Sequence, residues 1–138
     1  MEKDFEILNH TADAGIIAYG SNMNEAFANA AKGMFSLITE LEDVEETEYR
    51  DTELTAPDRE SLLVEWLNEL IYLFDVENIL FKKFDITQLS NTQLKAKSYG
   101  AKVDSSRHKL KTGVKAATYH MLKIDKDDGI RIQVLFDI

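Results

Sequence analysis

Apolar and polar positions alternate over residues 3–9, with Phe5 and Ile7 on one side and Asp4 and Glu6 on the other. That period of two predicts a half-buried strand. The HTADAG segment breaks the pattern, and GIIAYG resumes it as a short apolar strand between Gly15 and Gly20. The two form a strand–turn–strand unit with His10–Asp13 at its bend. Phe27, Ala30, Ala31, Met34, Phe35 and Ile38 then follow helical spacing. They predict a helix over roughly residues 23–38, capped by Ser21 or Asn22, with Gly33 as a weakness or a point of close packing. The stretch 40–53 has few large apolar residues and reads as a loop leading into a strand near 49–55. Pro57-Asp58 opens a second helix whose Leu63, Trp66, Leu67, Leu70, Ile71 and Phe74 form a strong stripe, widened by Leu62 and Leu73. Such a helix lies deep in a core, and packing accounts for Trp66.

Beyond residue 79 the period returns to two. ILFKKFDITQ, TQLKAKSYG, GVKAATYHMLKI and GIRIQVLFDI read as four strands, with turns at Asn91, Gly100 and Asp128-Gly129. The predicted order is β-β-α-β-α-β-β-β-β. Consecutive strands at the end indicate an α+β fold, with mixed or antiparallel sheets packed against two amphipathic helices. The 138 residues have the length of one domain, expected over 1–138.

Composition narrows the chemistry. Hydrophobic residues are 44% and charged residues 30%, a globular balance. With no cysteine, a disulfide framework, a thiolate metal site and a cysteine nucleophile are excluded, and a cytoplasmic location is expected. No apolar run approaches the ~20 residues of a membrane span, and MEKDFEILNHTADAG has no signal-peptide core. The net charge is −9, unevenly spread. Residues 40–60 hold ten acids against two arginines, and residues 91–123 hold eight basic residues against Asp104 alone. Each block reads either as a partner surface or as a solvated face. An acidic total argues against non-specific coating of nucleic acid, which rests on neutralising phosphates.

Nucleotide-binding loops of the GxxxxGK[ST] or GxGxxG type, a GxSxG elbow and an HExxH helix are all missing. The oxygen donors are more informative. Asp13 sits in a turn among small residues, and the sequence finishes Phe136-Asp137-Ile138. The Asp137 side chain and the terminal carboxylate of Ile138, with Asp13 alongside, would make a hard oxygen site suited to Ca²⁺, Mg²⁺ or Mn²⁺. A solvated strand end is the simpler reading of the same spacing. Lys115, in the middle of an expected strand, pairs with a carboxylate, holds a phosphate or guards a sheet edge. His10 and His120 read as satisfied, half-buried polar residues, and Tyr119 as packing.

The segments His10-Thr11-Ala12-Asp13-Ala14-Gly15-Ile16, Ala18-Tyr19-Gly20, Leu62 to Tyr72, Arg107-His108, Val114 to His120 and Asp137-Ile138 occur in an order that resembles the archease family. The resemblance spans essentially the whole chain. It departs at Gly100-Ala101, where the family often has Gly-Glu. The family implies a small α+β protein that works with the RtcB-type RNA ligase of tRNA splicing and RNA repair. That ligase joins a 2′,3′-cyclic phosphate or 3′-phosphate end to a 5′-hydroxyl after guanylylation on its own histidine, using GTP and divalent metal. The archease promotes guanylylation and turnover and is itself no ligase. By the same resemblance the metal site falls on Asp13, Asp137 and Ile138, with Lys115 as a functional neighbour and tRNA met only indirectly.

Competing readings are a chaperone or modulator of a tRNA methyltransferase or other RNA-modifying enzyme, and a small metal-dependent hydrolase. The latter lacks a legible nucleophile or general base. The plainest alternative is an acidic binding domain without metal.

Overall fold

The computed structural model describes residues 3–9 and 13–138. Strands β1 (Phe5–Asn9) and β2 (Ala14–Gly20) precede helix α1 (Met23–Ile38) and a 3-10 turn at Leu41–Asp43. Strand β3 (Glu48–Thr55) and helix α2 (Arg59–Glu77) follow. The chain then runs through β4 (Ile79–Leu89), β5 (Gln93–Lys102), β6 (Ala116–Ala117), β7 (Lys123–Asp125) and β8 (Ile130–Asp137). The α+β class and the order of elements are those expected. The α1 boundaries coincide with the spacing, and Asn22 is the cap, its side chain accepting the Glu25 N–H at 2.9 Å. Asp58 caps α2 in the same way, accepting the Ser61 N–H at 2.8 Å.

The strands form two antiparallel sheets. In the first the order is β1-β2-β8-β6, with β7 also on β8; in the second it is β3-β5-β4. Helix α1 packs on β2 and β4, and α2 on β6 and on the second sheet, so each helix touches both sheets. Between them Phe35 contacts Phe74, Phe81 and Phe84, and Trp66 meets Phe84 edge-on. Trp66, Phe27, Phe35, Phe81 and Phe136 are fully buried, each contributing roughly 1.5–3 kcal/mol by leaving water. The Trp66 indole N–H donates to Phe27 O at 3.1 Å, so burial leaves it no unmet donor. Gly33 is a point of close packing: a Cβ there would lie 2.9 Å from Ile16 Cδ1 and 3.2 Å from the Phe5 ring.

Four expectations need correction. Gly100, expected at a turn, lies inside β5, paired with Glu48 on one side and Phe81 on the other. Ile7 was paired with Phe5 as a buried position but is 48% exposed, because β1 is an edge strand. The single strand expected over GVKAATYHMLKI is two short ones. Between Ala117 and Lys123 the chain takes six steps, while their partners Phe136 and Gln133 on β8 are three apart. The excess leaves as a turn, closed by Leu122 N–H to Tyr119 O at 3.2 Å and with Met121 at φ 57°. His120 and Tyr119 ride on that turn and are exposed, neither half-buried nor packed.

The two charged blocks find each other. Lys95 pairs with Glu53, Lys97 with Asp51, Arg107 with Glu45, and Lys111 with Glu40 at 3.1 Å. Exposed pairs of this kind are worth ~0–1 kcal/mol each. Their larger effect is to cancel much of the basic block's field where it lies against the acidic one. The loop from 103 to 115 also closes the C-terminal end of α1. Lys111 N–H donates to Ile38 O at 2.7 Å, Thr112 N–H to Leu37 O at 3.2 Å, and Thr39 Oγ1 to Lys109 O at 2.9 Å. Buried His108 braces the start of this loop, its Nδ1 accepting the Asp104 N–H at 2.9 Å.

Candidate carboxylate site

Strand β8 lies between β2 and β6, and its last residues bring separate parts of the sequence together. The β2·β8 ladder ends at Ala14↔Phe136, so Asp13 and Asp137 are the next residues along the two strands. On the other side Ala116 is opposite Asp137, and Lys115 N–H donates to Asp137 O at 2.8 Å. Side chains alternate along a strand. Fully buried Phe136, with Ala117 and Ala14, faces the core, and Asp137 points to the opposite face.

Asp13 is half-buried and its Oδ1 is inaccessible to solvent. Asp137 is exposed, and Ile138 is 47% exposed. Lys115 is exposed, lies just outside β6 rather than within a strand, and makes no ion pair among the described residues. It meets Asp137 through its backbone. His10, with Thr11 and Ala12, lies outside the described residues. Among the described residues no three His, Cys, Asp or Glu side chains gather into a metal-ligand set. The donors expected here, the Asp13 and Asp137 side chains and the Ile138 carboxylate, offer oxygen alone. Donors of this all-oxygen kind match a hard divalent cation and not a soft one.

Sequence reasoning missed the residue that holds this end of the sheet in place. Asn68, on α2, accepts the Ala117 N–H through Oδ1 at 2.7 Å. It pins the two-residue strand β6, and with it the Lys115–Asp137 contact, to the helix. Thr118 adds a second tie, its N–H and its hydroxyl both donating to Leu135 O at 3.0 and 3.1 Å. The available signal was a polar pair, Asn68-Glu69, set between apolar positions in Trp66-Leu67-Asn68-Glu69-Leu70. Glu69 has its carboxyl raised above the ordinary range, by partial burial first and then by the charges of Glu77 and Glu65.

A family model described as the Archease protein family (MTH1598/TM1083) matches residues 5–138. A protein archease of Methanosarcina mazei is 41% identical over 141 residues, covering 99% of this chain and 97% of that protein. The solution structure of protein 1598 of Methanobacterium thermoautotrophicum superposes with a TM-score of 0.84 at 40% identity, covering 98% of this chain and 99% of that one. The crystal structure of an archease, possible chaperone, from Thermotoga maritima shares the fold, with a TM-score of 0.63 at 22% identity over 95% and 94% of the two chains.

Proposed function

This chain belongs to the archease family, and from that premise we propose that it activates an RtcB-type 3′-phosphate RNA ligase in tRNA splicing and RNA repair. It acts in the cytoplasm as a partner, promoting GTP-dependent guanylylation of the ligase and its multiple turnover. RNA joining itself is left to the ligase, and tRNA is met only through it.

The observation that carries the reading is the register at the end of β8, which makes Asp13 and Asp137 neighbours although they lie 124 positions apart in sequence. In this reading the two aspartates and the Ile138 carboxylate hold a divalent cation, Ca²⁺, Mn²⁺ or Mg²⁺. When bound, the ion would supply positive charge that offsets the carboxylates toward a nucleoside triphosphate. The rest of the work belongs to the chain. Asn68 fixes β6, Lys115 N–H fixes the Asp137 backbone, and the Lys115 side chain stands nearby as a cation able to meet phosphate oxygen.

A second reading, a chaperone or modulator of a tRNA methyltransferase or another RNA-modifying enzyme, draws on the exposed apolar side chains Tyr72, Val76, Tyr119 and Met121. One experiment separates the two. A trace of cognate ligase is given GTP, divalent metal and an RNA with a 2′,3′-cyclic phosphate end, with and without this protein. Activation predicts more than one turnover per ligase only when the protein is present. Unchanged turnover, together with suppression of methyltransferase aggregation without GTP or metal, would favour the chaperone instead.

A further inference from the structure

Away from the carboxylates, a cleft of about 290 Å³ opens between α1 and β4. Lys32, Lys82 and Lys83 line it with Asn29, Phe84 and Glu46. Three lysines against one glutamate make a basic hollow on a chain whose net charge is −9. The strand is built to turn one of them. Phe81 pairs with Gly100 and Lys83 with Tyr99, so Lys82 is the extra residue of a bulge. Bulges re-aim side chains and recur beside binding sites. Lys82 is half-buried, and among the described residues no hydrogen bond or ion pair reaches its ammonium group. Lys32, by contrast, is held by Asp4 at 2.6 Å, and Lys83 stands 5.1 Å over the Tyr99 ring. An ammonium group without a counter-ion, carried on a half-buried side chain, is a position at which an anion gains a charge-assisted contact.

The cleft continues into a second hollow of about 360 Å³ that shares Ala28, Asn29 and Phe84 with the first. Here the lining changes to Asn22, Asn24, Glu25 and Asp85. One end therefore accepts negative charge and the other accepts hydrogen bonds from a donor-bearing body, with the Phe84 ring between them. Each hollow is near the lower limit for small-molecule pockets, roughly 300 Å³, so a ligand of mononucleotide size spans the pair.

We propose that the cleft between α1 and β4 binds a small phosphorylated molecule of mononucleotide size, its phosphate on Lys82 and its hydrogen-bond donors toward Asn24 and Asp85. The site is independent of the carboxylates at the end of β8 and of the ligase reading, so either stands if the other fails.

The test is calorimetric titration of the full chain in EDTA, which keeps any divalent cation out of the measurement. The probes are AMP, adenosine and inorganic phosphate. AMP binds more tightly than either fragment, and Lys82→Met, which keeps the aliphatic stem, weakens it about tenfold while Lys82→Arg restores most of the affinity. Glu46→Gln, on an exposed rim, tightens AMP by a few-fold, and Lys126→Ala, on an exposed turn, leaves it unchanged. Adenosine binding as well as AMP would overturn the phosphate assignment. No binding of AMP at 10 mM (the top of the titration, roughly 2.7 kcal/mol of affinity), equal binding by Lys82→Met, or Lys82-dependent binding of a single-stranded RNA without AMP binding would overturn the proposal.

Discussion

Replacing Asn68 by alanine removes the acceptor that holds β6. The bond is short, 2.7 Å, and the residue that donates, Ala117, is 5% exposed, so water does not readily take the place of the lost oxygen. Leaving a buried donor unmet costs about 1–3 kcal/mol. Alanine is the better helix former by up to ~0.7 kcal/mol, which offsets part of this. With the full offset the net loss is about 0.3–2.3 kcal/mol, and at about 3–4 °C per kcal/mol for a chain this long, Tm falls by about 1–9 °C. The effect is local as well as global. Amide exchange at Ala117 and Lys115 speeds up more than exchange in β2, because β6 opens without the rest of its sheet. Asn68→Asp keeps an Oδ acceptor, and protection at Ala117 stays close to that of the parent. Thermal unfolding and site-resolved exchange on the three proteins decide the matter. Unchanged Tm with unchanged protection at Ala117 in Asn68→Ala would refute the claim that α2 positions this end of the sheet.

Other substitutions follow the same reasoning. Gly100→Ala brings a Cβ within 1.8 Å of Leu80 O, a backbone atom with nowhere to go, whereas Gly33→Ala meets the flexible end of Ile16. Urea titration should show a loss at or beyond the upper end of the ~1–3 kcal/mol typical of overpacking for the first, and far less for the second. Glu69 has a folded-state pKa raised by burial and by Glu77 and Glu65, so its contribution is fully present at low pH and is lost as pH rises through the raised value. Glu69→Gln therefore raises Tm at pH 7 and leaves it unchanged or lower near pH 3; equal shifts at both pH values would contradict the cause. Asp58 is the opposite case, its carboxyl held low by the Ser61 backbone and hydroxyl, so its capping of α2 weakens only as pH falls through the lowered value. Asp58→Ala lowers Tm at pH 7 and has a smaller effect near pH 2, read by circular dichroism. Asp137→Asn should weaken divalent-cation binding at least tenfold by calorimetry while Tm without metal stays within about 2 °C, since an exposed side chain outside the core rarely changes stability by more than ~0.5 kcal/mol.

The elements that pack most strongly were the most legible. The 3.6-residue spacing of Phe27 to Ile38, with a cap at Ser21 or Asn22, located α1, and the broad stripe on α2 announced a helix buried on more than one side. Local spacing carries this information because each helix buries a face of its own. What the spacing could not carry was a count of residues on two strands at once. Thr118 to Leu122 continue an apolar, β-branched pattern, and only the β8 register shows that three of those residues are surplus and leave the sheet. The edge position of β1 is likewise a property of topology, so Ile7 looked like Phe5. In the carboxylate region, residue types pointed to Asp13 and Asp137 separately, and the antiparallel pairing of β2 with β8 supplied their proximity. Asn68 escaped because a polar residue among others on α2 has no visible partner until the strand it holds is known. The mutual pairing of the acidic and basic blocks was unreadable for the same reason: each charge run looks solvated until β3, β5 and the 103–115 loop come together.

The ligase reading turns on the Ile138 carboxylate beside Asp13 and Asp137. Two forms of the protein, one carrying a short neutral extension before Met1 and one carrying it after Ile138, are compared with the unextended chain in multiple-turnover ligation by a trace of cognate ligase. The extension after Ile138 converts that carboxylate into an amide and displaces it from Asp137. The account predicts near-parental turnover for the first form and at least a tenfold loss for the second (about 1.4 kcal/mol of activation), with both forms melting at the same temperature. Equal turnover by the two forms would contradict it.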